Sequence, residues 1–438
     1  MRTLSFLVGA VLICAAHARA QERVPVLPAT PLNYENIQLP AHYLVQTIPG
    51  PVQNAVVDND NTPPANPITD EGATLGRVLF YDPLLSLNLS TSCSSCHTQE
   101  TGFGDPNQLS IGFEGGLTRR HSMALSNARF YQRGRFFWDE RAQSLEDQVL
   151  MPIQDSVEMG LTLAQLVNRV SRQEYYDQLF VDAFGDPTVT SDRIAQALAQ
   201  FVRSMVSASS RYDQGRALVA NPTQPFPNFT PQENQGKAMF LAAPLQGGLG
   251  CIACHSTEAF INAPPGPTNN GLGFDANDLG AFETFGTPGT VSTFKVPSLR
   301  NVAVRGRFMH DGRFSNLGEV IEHYNSGVEN APNLGPTLQN PDGTVRRLNL
   351  TQQQKDALVA FLGTLTDQQF LTDERYSDPF QLVEDVCVGD LFQDGQVDGV
   401  DLGALLSNWG NPGSTDLNND GTTDGADLGL FLGQWGPC

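Results

Sequence analysis

The sequence predicts an all-α protein with long irregular loops, and three features support this fold class. After Asp192, apolar residues recur at helical spacing and form one face, namely Ile194, Leu198, Phe201, Val202 and Met205. Two capping boxes mark further helix starts, one at Thr230 with Pro231 and Glu233 and one at Thr351 with Gln354. No convincing run of alternating strand residues lies between 67 and 375.

Composition limits the classes of function. The chain has 438 residues, of which 40% are hydrophobic and 17% are charged, so it can bury large cores and divide into two or three domains. Its net charge of -21 argues against nucleic acid as a partner, because a polyanion is repelled by most of the surface. The same charge attracts a basic protein partner.

The first twenty residues have the features of a secretory signal peptide. Arg2 precedes an apolar run from Leu4 to Ala16, and the segment ends in Ala18-Arg19-Ala20. The apolar run is too short to span a membrane, and no other segment of the sequence is long enough. We therefore expect a periplasmic, extracellular or cell-surface protein, with an uncleaved anchor as the alternative.

The remaining chain divides by composition. A Pro- and Asn-rich arm or linker is expected at 21–66, an N-terminal domain at 67–225 and a C-terminal domain at 226–375. A linker at 376–386 and a small module at 387–438 follow. Loops such as 262–293 need a large object to pack against, since their ordering is costly.

Two short motifs suggest what that object is. Cys93-Ser94-Ser95-Cys96-His97 and Cys251-Ile252-Ala253-Cys254-His255 both follow the pattern Cys-x-x-Cys-His, in which two thiols attach haem c and the histidine binds its iron. A redox-active Cys-x-x-Cys or half of a zinc site is the alternative for either motif. Two copies, each followed by His, favour two covalently bound haem c groups.

The residues around these motifs resemble the bacterial di-haem cytochrome c peroxidase and MauG family over roughly 75–366. The matching stretches are Leu75 to Asp82, Phe137 to Arg141, Pro152 to Met159, Val296 to Val302 and Met309 to Arg313. The resemblance implies two cytochrome c-like haem domains, an N-terminal haem that reduces hydrogen peroxide and a C-terminal haem that relays electrons. An unidentified cytochrome or cupredoxin would donate them. A MauG-like oxidase of a protein or small molecule, or a di-haem electron carrier without turnover, is the alternative.

The same resemblance assigns three catalytic residues. Glu158 corresponds to the acid-base residue over the N-terminal haem, Gln148 to its neighbour and Trp138 to the tryptophan between the haems. The apolar neighbours of Glu158 predict a raised pKa by desolvation. A solvated capping role for Glu158 and simple core packing for Trp138 are the alternatives.

The sequence departs from the ordinary peroxidases at three positions. Phe113 stands where they have a histidine that closes the peroxidatic haem, which predicts an open iron position. Tyr324 stands where they have a methionine ligand of the C-terminal haem. Met309 and His310 are rival ligands, and Tyr324 also fits an ordinary core position. His121 replaces an asparagine near the family's interdomain calcium, which leaves that calcium in doubt, and a surface or core histidine is expected.

The last segment is an acidic internal repeat. From Cys387 to Cys438 there are eight Asp and no Lys or Arg, and each unit ends in Trp-Gly. Calcium-ligand spacing is found at Asp390, Asp394, Asp398 and Asp401, and at Asp416, Asn418, Asp420, Asp424 and Asp427. This resembles a dockerin-type repeat pair, which implies a small helical module that binds Ca²⁺ and a cohesin-like docking partner. A solvated acidic tail is the alternative. We also predict a disulfide between Cys387 and Cys438.

Overall fold

A computed structural model describes residues 23–45, 55–244, 248–261, 266–382, 389–392, 394–417 and 421–437. The chain forms two compact units, one of residues 27–379 and one that combines 23–26 with 380 onward. The proposed signal peptide and the predicted disulfide between Cys387 and Cys438 lie outside the described residues. Among those described, no helix is long and apolar enough to cross a membrane.

The larger unit is built from helices and long loops, as predicted. Its helices are α1 Ala41–Leu44, α2 Asp70–Tyr81, α3 Leu145–Gln154, α4 Leu163–Val170, α5 Glu174–Phe184, α6 Ser191–Ser204, α7 Arg211–Arg216, α8 Pro231–Leu241, α9 Phe282–Phe285, α10 Leu317–Glu322, α11 Gln352–Gly363 and α12 Gln368–Thr372. A π-helical turn, His323–Gly327, follows α10 directly.

The predicted helix starts are confirmed by their hydrogen bonds. The Glu233 amide donates to the Thr230 hydroxyl at 3.2 Å, and the Thr230 amide donates to the Glu233 carboxylate at 2.7 Å. Thr351 and Gln354 form the same reciprocal pair at the start of α11. Each box satisfies backbone amides that have no partner inside the helix.

Two helix pairs repeat one packing arrangement. In the first half α2 packs on α6, and in the second half α8 packs on α11. A Cβ added at Gly76 would collide with the Ala197 carbonyl oxygen and with Phe201, and a Cβ added at Gly236 would collide with the Ala357 carbonyl oxygen. Glycine therefore permits backbone contact at both crossings.

The predicted arm is anchored by buried side chains. Tyr34 and Tyr43 are fully buried, and His42 Nε2 lies 2.9 Å from the carboxylate of Asp213. The buried guanidinium of Arg300 binds the same carboxylate at 2.5 and 2.9 Å. Such a buried charge must be paired, so this contact fixes the arm against the segment that follows the second haem motif.

The smaller unit contains two short antiparallel strand pairs and two helices. Strand β1, Arg23–Pro25, pairs with β2, Phe380–Leu382, and β3, Gln396–Val397, pairs with β4, Gly436–Pro437. The helices are α13, Gly399–Ser407, and α14, Gly425–Gly433. Val397, Leu405 and Phe431 form its small core.

We predict that the helix crossings tolerate no side chain. Gly76→Ala and Gly236→Ala should each destabilise the haem-loaded protein by about 1–3 kcal/mol, because the helices must separate. Gly363→Ala, at a position in α11 where an added Cβ meets nothing within 4 Å, is the matched control and should change stability little. Denaturant unfolding followed by circular dichroism measures all three. Equal stability of the three variants would contradict the packing argument.

Candidate functional site

The first haem motif forms a tight turn beside a cavity. Residues Cys93–Ser95 make a single helical turn, so the His97 amide donates to the Cys93 carbonyl oxygen at 3.1 Å. His97 Nδ1 lies 2.9 Å from the carbonyl oxygen of Phe103. Since burial lowers the pKa of His97, the ring is neutral with its proton on Nδ1, and Nε2 is the nitrogen able to bind iron.

The second motif repeats this geometry. The turn Cys251–Ala253 places the His255 amide 2.9 Å from the Cys251 carbonyl oxygen. His255 Nδ1 lies 3.2 Å from the Pro297 carbonyl oxygen, and burial lowers the pKa of this histidine to about 4. Both histidines are therefore held as neutral ligands with one oriented nitrogen.

The four motif cysteines suit thioether attachment. All four are free thiols, and burial raises the pKa of Cys93 and Cys251 to about 12. Within the described residues, no group of three or more His, Cys, Asp or Glu side chains is arranged to hold a metal ion. Among the described residues, neither motif is therefore joined by the further Cys, His, Asp or Glu side chains that a zinc site requires.

The C-terminal cavity, lined by Cys251, Cys254 and His255, fits a porphyrin. Its other walls are mostly apolar and include Phe240, Leu358 and Leu362 from α8 and α11. Arg305 also lines it, and the buried Nε of this guanidinium has no hydrogen-bond partner in the described residues. A haem propionate would supply the missing acceptor, since an unpaired buried donor is costly.

The N-terminal cavity consists of two adjoining spaces that share His97, Gln148 and Glu158. The structure therefore brings together His97, the predicted iron ligand, Glu158, the predicted acid-base residue, and Gln148, the predicted neighbour of Glu158. Gln148 lies in α3, which Ser144 caps. The Glu158 amide donates to Asp155 at 3.1 Å, and its carbonyl oxygen accepts from the Phe113 amide.

Glu158 has the electrostatic environment expected from its neighbours. Burial, with a smaller contribution from the charge of Asp155, raises the pKa of Glu158 to about 7. The Arg141 guanidinium acts in the opposite direction. A carboxyl group with this pKa is present in both protonation states near neutral pH.

Phe113 is positioned by packing. Its ring lies against Gly160, where an added Cβ would collide with it, and the side-chain amide of Asn88 donates to its carbonyl oxygen at 2.6 Å. The ring is buried and carries no atom that can bind iron.

Trp138 lines both cavities. Its indole Nε1 donates to the His121 carbonyl oxygen at 2.7 Å, and its own carbonyl oxygen accepts from the Lys295 amide at 2.8 Å. The side chain is buried, as is His121, whose Nδ1 lies 3.1 Å from the Gln108 carbonyl oxygen. These bonds fix the indole between the two spaces.

Lys295 is a residue that sequence reasoning missed. It lines both cavities, and its buried ammonium lies 4.2 Å from the ring centre of Tyr131 and 4.6 Å from that of Phe136. Burial lowers the pKa of Lys295 to about 8. A lysine beside the apolar Phe294 and Val296 was the available signal. The Lys295 ammonium places a positive charge at the boundary of the two cavities.

Two of the three candidate sixth ligands of the C-terminal haem, Met309 and Tyr324, contact the same side chain. The Asn270 amide donates to Met309 Sδ at 3.4 Å and also hydrogen-bonds Tyr324. Tyr324 lies in the π-helical turn, and burial raises its pKa to about 12. His310 stacks on Phe294 with ring centres 3.6 Å apart. Asn270 gave no signal in the sequence, since only the fold brings it to these residues.

The two acidic loops of the smaller unit share a hydrogen-bond pattern. The Asp401 carboxylate accepts the amides of Leu391 and Asp398, and the Asp427 carboxylate accepts those of Leu417 and Asp424. Asp398 and Asp424 cap α13 and α14, while Asp390 and Asp416 each accept a glycine amide, Gly395 or Gly421. Asp394 accepts the Gln396 amide. Asn418 and Asp420 lie outside the described residues.

Comparison with known proteins identifies the family. A family model described as di-haem cytochrome c peroxidase matches residues 70–218. The chain is 32% identical over 310 residues to the methylamine utilization protein MauG of Methylophilus methylotrophus, covering 70% of this chain and 86% of that protein. It is 29% identical over 324 residues to the cytochrome c551 peroxidase of Nitrosomonas europaea, covering 71% and 85%.

A solved structure supports the same assignment. A MauG-like protein associated with microbial copper homeostasis superposes with a TM-score of 0.62 at 30% identity, covering 78% of this chain and 99% of that one. The chain belongs to the di-haem cytochrome c peroxidase and MauG family. It is a peroxidase-like oxidoreductase, and its family implies two covalently bound haem c groups.

Proposed function

We propose that the protein is an exported enzyme that reduces hydrogen peroxide at the N-terminal haem and receives electrons through the C-terminal haem. The observation that carries this proposal is Glu158, whose pKa is raised to about 7 on the cavity beside His97. His97 and His255, the histidines of the two Cys-x-x-Cys-His motifs, are the residues that would bind the two irons. When bound, the N-terminal haem supplies the iron position at which peroxide reacts.

The chain's own residues move the protons. The ionised Glu158 carboxylate takes a proton from one peroxide oxygen and returns it to the other, which leaves as water. Gln148, on the same cavity wall, orients the peroxide by hydrogen bonding. Two electrons and two protons per peroxide give two waters, and Trp138 lies where an aromatic ring can pass the electrons between the cavities.

The electron donor and location follow from charge and sequence. A net charge of -21 favours a donor with a basic docking face, such as a small cytochrome or cupredoxin. The signal-like segment supports export to the periplasm or beyond.

A MauG-like oxidase of a protein or small molecule is the second candidate, which Tyr324 on the C-terminal cavity favours. An electron carrier without turnover would have no use for the Glu158 and Gln148 pair.

The acid-base role of Glu158 predicts a pH profile. In stopped-flow mixing of peroxide with the resting ferric protein, the rate constant should rise with pH and level off above about 7, because only the ionised carboxylate accepts a proton. No reductant should be needed, since Phe113 cannot close the iron position. Glu158→Gln should lower the rate constant by about 10²–10⁴-fold and remove the pH dependence.

The matched control is Glu114→Gln, an exposed glutamate in the loop that follows Phe113. It should leave the rate constant unchanged, and haem content should be equal in all three proteins. Equal rates for Glu158→Gln and the parent protein would remove the assigned role. A requirement for reductive activation would contradict the open iron position.

The sixth ligand of the C-terminal haem is the second test. Tyr324→Phe should change the low-spin electron paramagnetic resonance signal and raise the reduction potential of that haem, since an anionic oxygen ligand stabilises ferric iron. Met309→Leu, the matched control at the same Asn270 contact, should leave both unchanged. The reverse result assigns Met309 as the ligand, and no change in either variant points to His310.

The C-terminal module is proposed to bind Ca²⁺ and to dock the enzyme to a cohesin-like partner. The equivalent carboxylate–amide hydrogen bonds of the two loops support a repeated unit. The first loop has Phe392 where the second has Asn418, so the first loop has one oxygen ligand fewer. In the described residues the carboxylates of the two loops bond backbone amides and do not converge on one metal position. Calcium would have to draw them together and offset their mutual repulsion, so folding of the module should depend on it.

Calcium titration of the chelator-treated full chain should therefore give binding heat and a higher unfolding temperature of the module. Asp416→Asn, which alters the second loop, should abolish the tighter binding. Asp342→Asn, an exposed aspartate in the other unit, is the control and should have no effect. Absence of binding heat would leave the module as a carboxylate-capped helical pair without a metal.

A further inference from the structure

Two adjacent tyrosines share one carboxylate oxygen. At the start of α5, the hydroxyl of Tyr175 donates to Asp82 Oδ2 at 2.8 Å, and that of Tyr176 donates to the same atom at 2.7 Å. Their ring centres are 4.6 Å apart, and the planes are tilted by 46°. The other carboxylate oxygen of Asp82 accepts the Leu84 amide at 2.8 Å, so the acceptor is fixed in place.

The pair leads from the first haem motif towards solvent. Helix α2, which ends next to Asp82, packs against both α5 and the turn Cys93–Ser95. Tyr176 is completely buried, and its acceptor Asp82 lies two residues after Phe80, which lines the N-terminal cavity together with Cys93. Tyr175 is only half-buried. The buried ring of Tyr176 is therefore in contact with the ring of Tyr175, which reaches the surface.

Within the described residues, two hydroxyls on one carboxylate oxygen distinguish this pair from the other buried tyrosines, of which Tyr131 and Tyr212 each donate alone to a carboxylate, that of Glu140 or Glu258. Tyr43, Tyr81 and Tyr376 each donate to a backbone carbonyl oxygen, which cannot take up a proton. A carboxylate can take up a proton along an existing hydrogen bond. A structural tie between α5 and the end of α2 would need only one phenol, so the second hydroxyl on the same oxygen calls for a further role.

We propose that Tyr176 and Tyr175 form a one-electron relay from the N-terminal haem to the surface, where neutral phenols are oxidised. The inference rests on the proposed peroxidase function, which supplies the oxidant. Net negative charge disfavours anionic donors, and Glu174 and Asp177 add carboxylates beside Tyr175 on α5. A neutral phenol too large for the cavity is the substrate class that fits.

The electrons and protons balance at each step. An electron leaves Tyr176 for the haem pocket, and its phenolic proton moves to Asp82 Oδ2. An electron from Tyr175 then refills Tyr176, which regains the proton while Tyr175 passes its own proton to Asp82. The external phenol returns one electron to Tyr175, Asp82 returns the proton, and the phenol loses its own proton to solvent. Two phenols and one peroxide give two phenoxyl radicals and two waters.

The test uses the haem-loaded full chain and four variants. Samples frozen rapidly after peroxide addition without donor should show a tyrosyl radical by electron paramagnetic resonance, with a signal that narrows in protein containing ring-deuterated tyrosine. Tyr176→Phe should remove this signal. Tyr175→Phe and Tyr176→Phe should each lower guaiacol oxidation by about tenfold or more, while oxidation of a reduced cytochrome and the first reaction with peroxide stay unchanged.

Two further variants separate proton transfer from structure. Asp82→Asn keeps an oxygen that accepts both hydroxyls but is a far weaker base, so it should lower the radical yield without lowering haem content. Tyr81→Phe, which removes a buried hydroxyl bound to the Tyr376 carbonyl oxygen, is the control and should match the parent protein.

The outcomes distinguish this relay from the proposed function. A parent protein that does not react with peroxide would contradict the peroxidase assignment and, with it, the relay. A normal peroxide reaction with unchanged radical signal and guaiacol rates in Tyr175→Phe and Tyr176→Phe would overturn the relay alone. Loss of guaiacol oxidation with normal cytochrome oxidation supports it.

Discussion

The close crossing of two helix pairs is the constraint on which both cavities depend. Gly76 and Gly236 let α2 contact α6 and α8 contact α11 at the backbone. The same pairs then form cavity walls, since Phe80 and Leu198 face the N-terminal cavity while Phe240 and Leu358 face the C-terminal one. Because these walls are close-packed, the two crossings fix the spacing of the helices that line each cavity.

The two cavities share walls but differ in charge. Glu158, which titrates near neutral pH, and the charged arginines Arg119, Arg120 and Arg141 give the N-terminal space a polar lining, whereas the C-terminal space is largely apolar. Lys295 and Trp138 belong to both. This difference suits proton transfer in the N-terminal cavity, because proton transfer needs a group that titrates. It suits electron transfer in the C-terminal cavity, because electron transfer is favoured by surroundings that do not reorganise.

Local signals in the sequence predicted much of this arrangement. Capping boxes at Thr230 and Thr351, the apolar face of α6 and the two haem motifs are each contained in a short stretch of sequence, and the resemblance to the family came from the haem motifs and the residues around them. Asn270, Arg305 and Lys295 were missed because their roles come from residues distant in the chain. The sequence favoured Tyr324 over Met309 as the sixth ligand, and the structure places both side chains at the Asn270 amide, so this choice stays a prediction.

The pairing of β1 with β2 has a consequence for folding. It joins Arg23 to Leu382, so the chain of the whole catalytic unit forms one loop between the paired strands. Closing so long a loop carries an entropic cost that three residues of strand offset only when the intervening chain is already compact. This strand pair should therefore form only after the intervening chain has folded, so its formation marks the completion of the haem-bearing part.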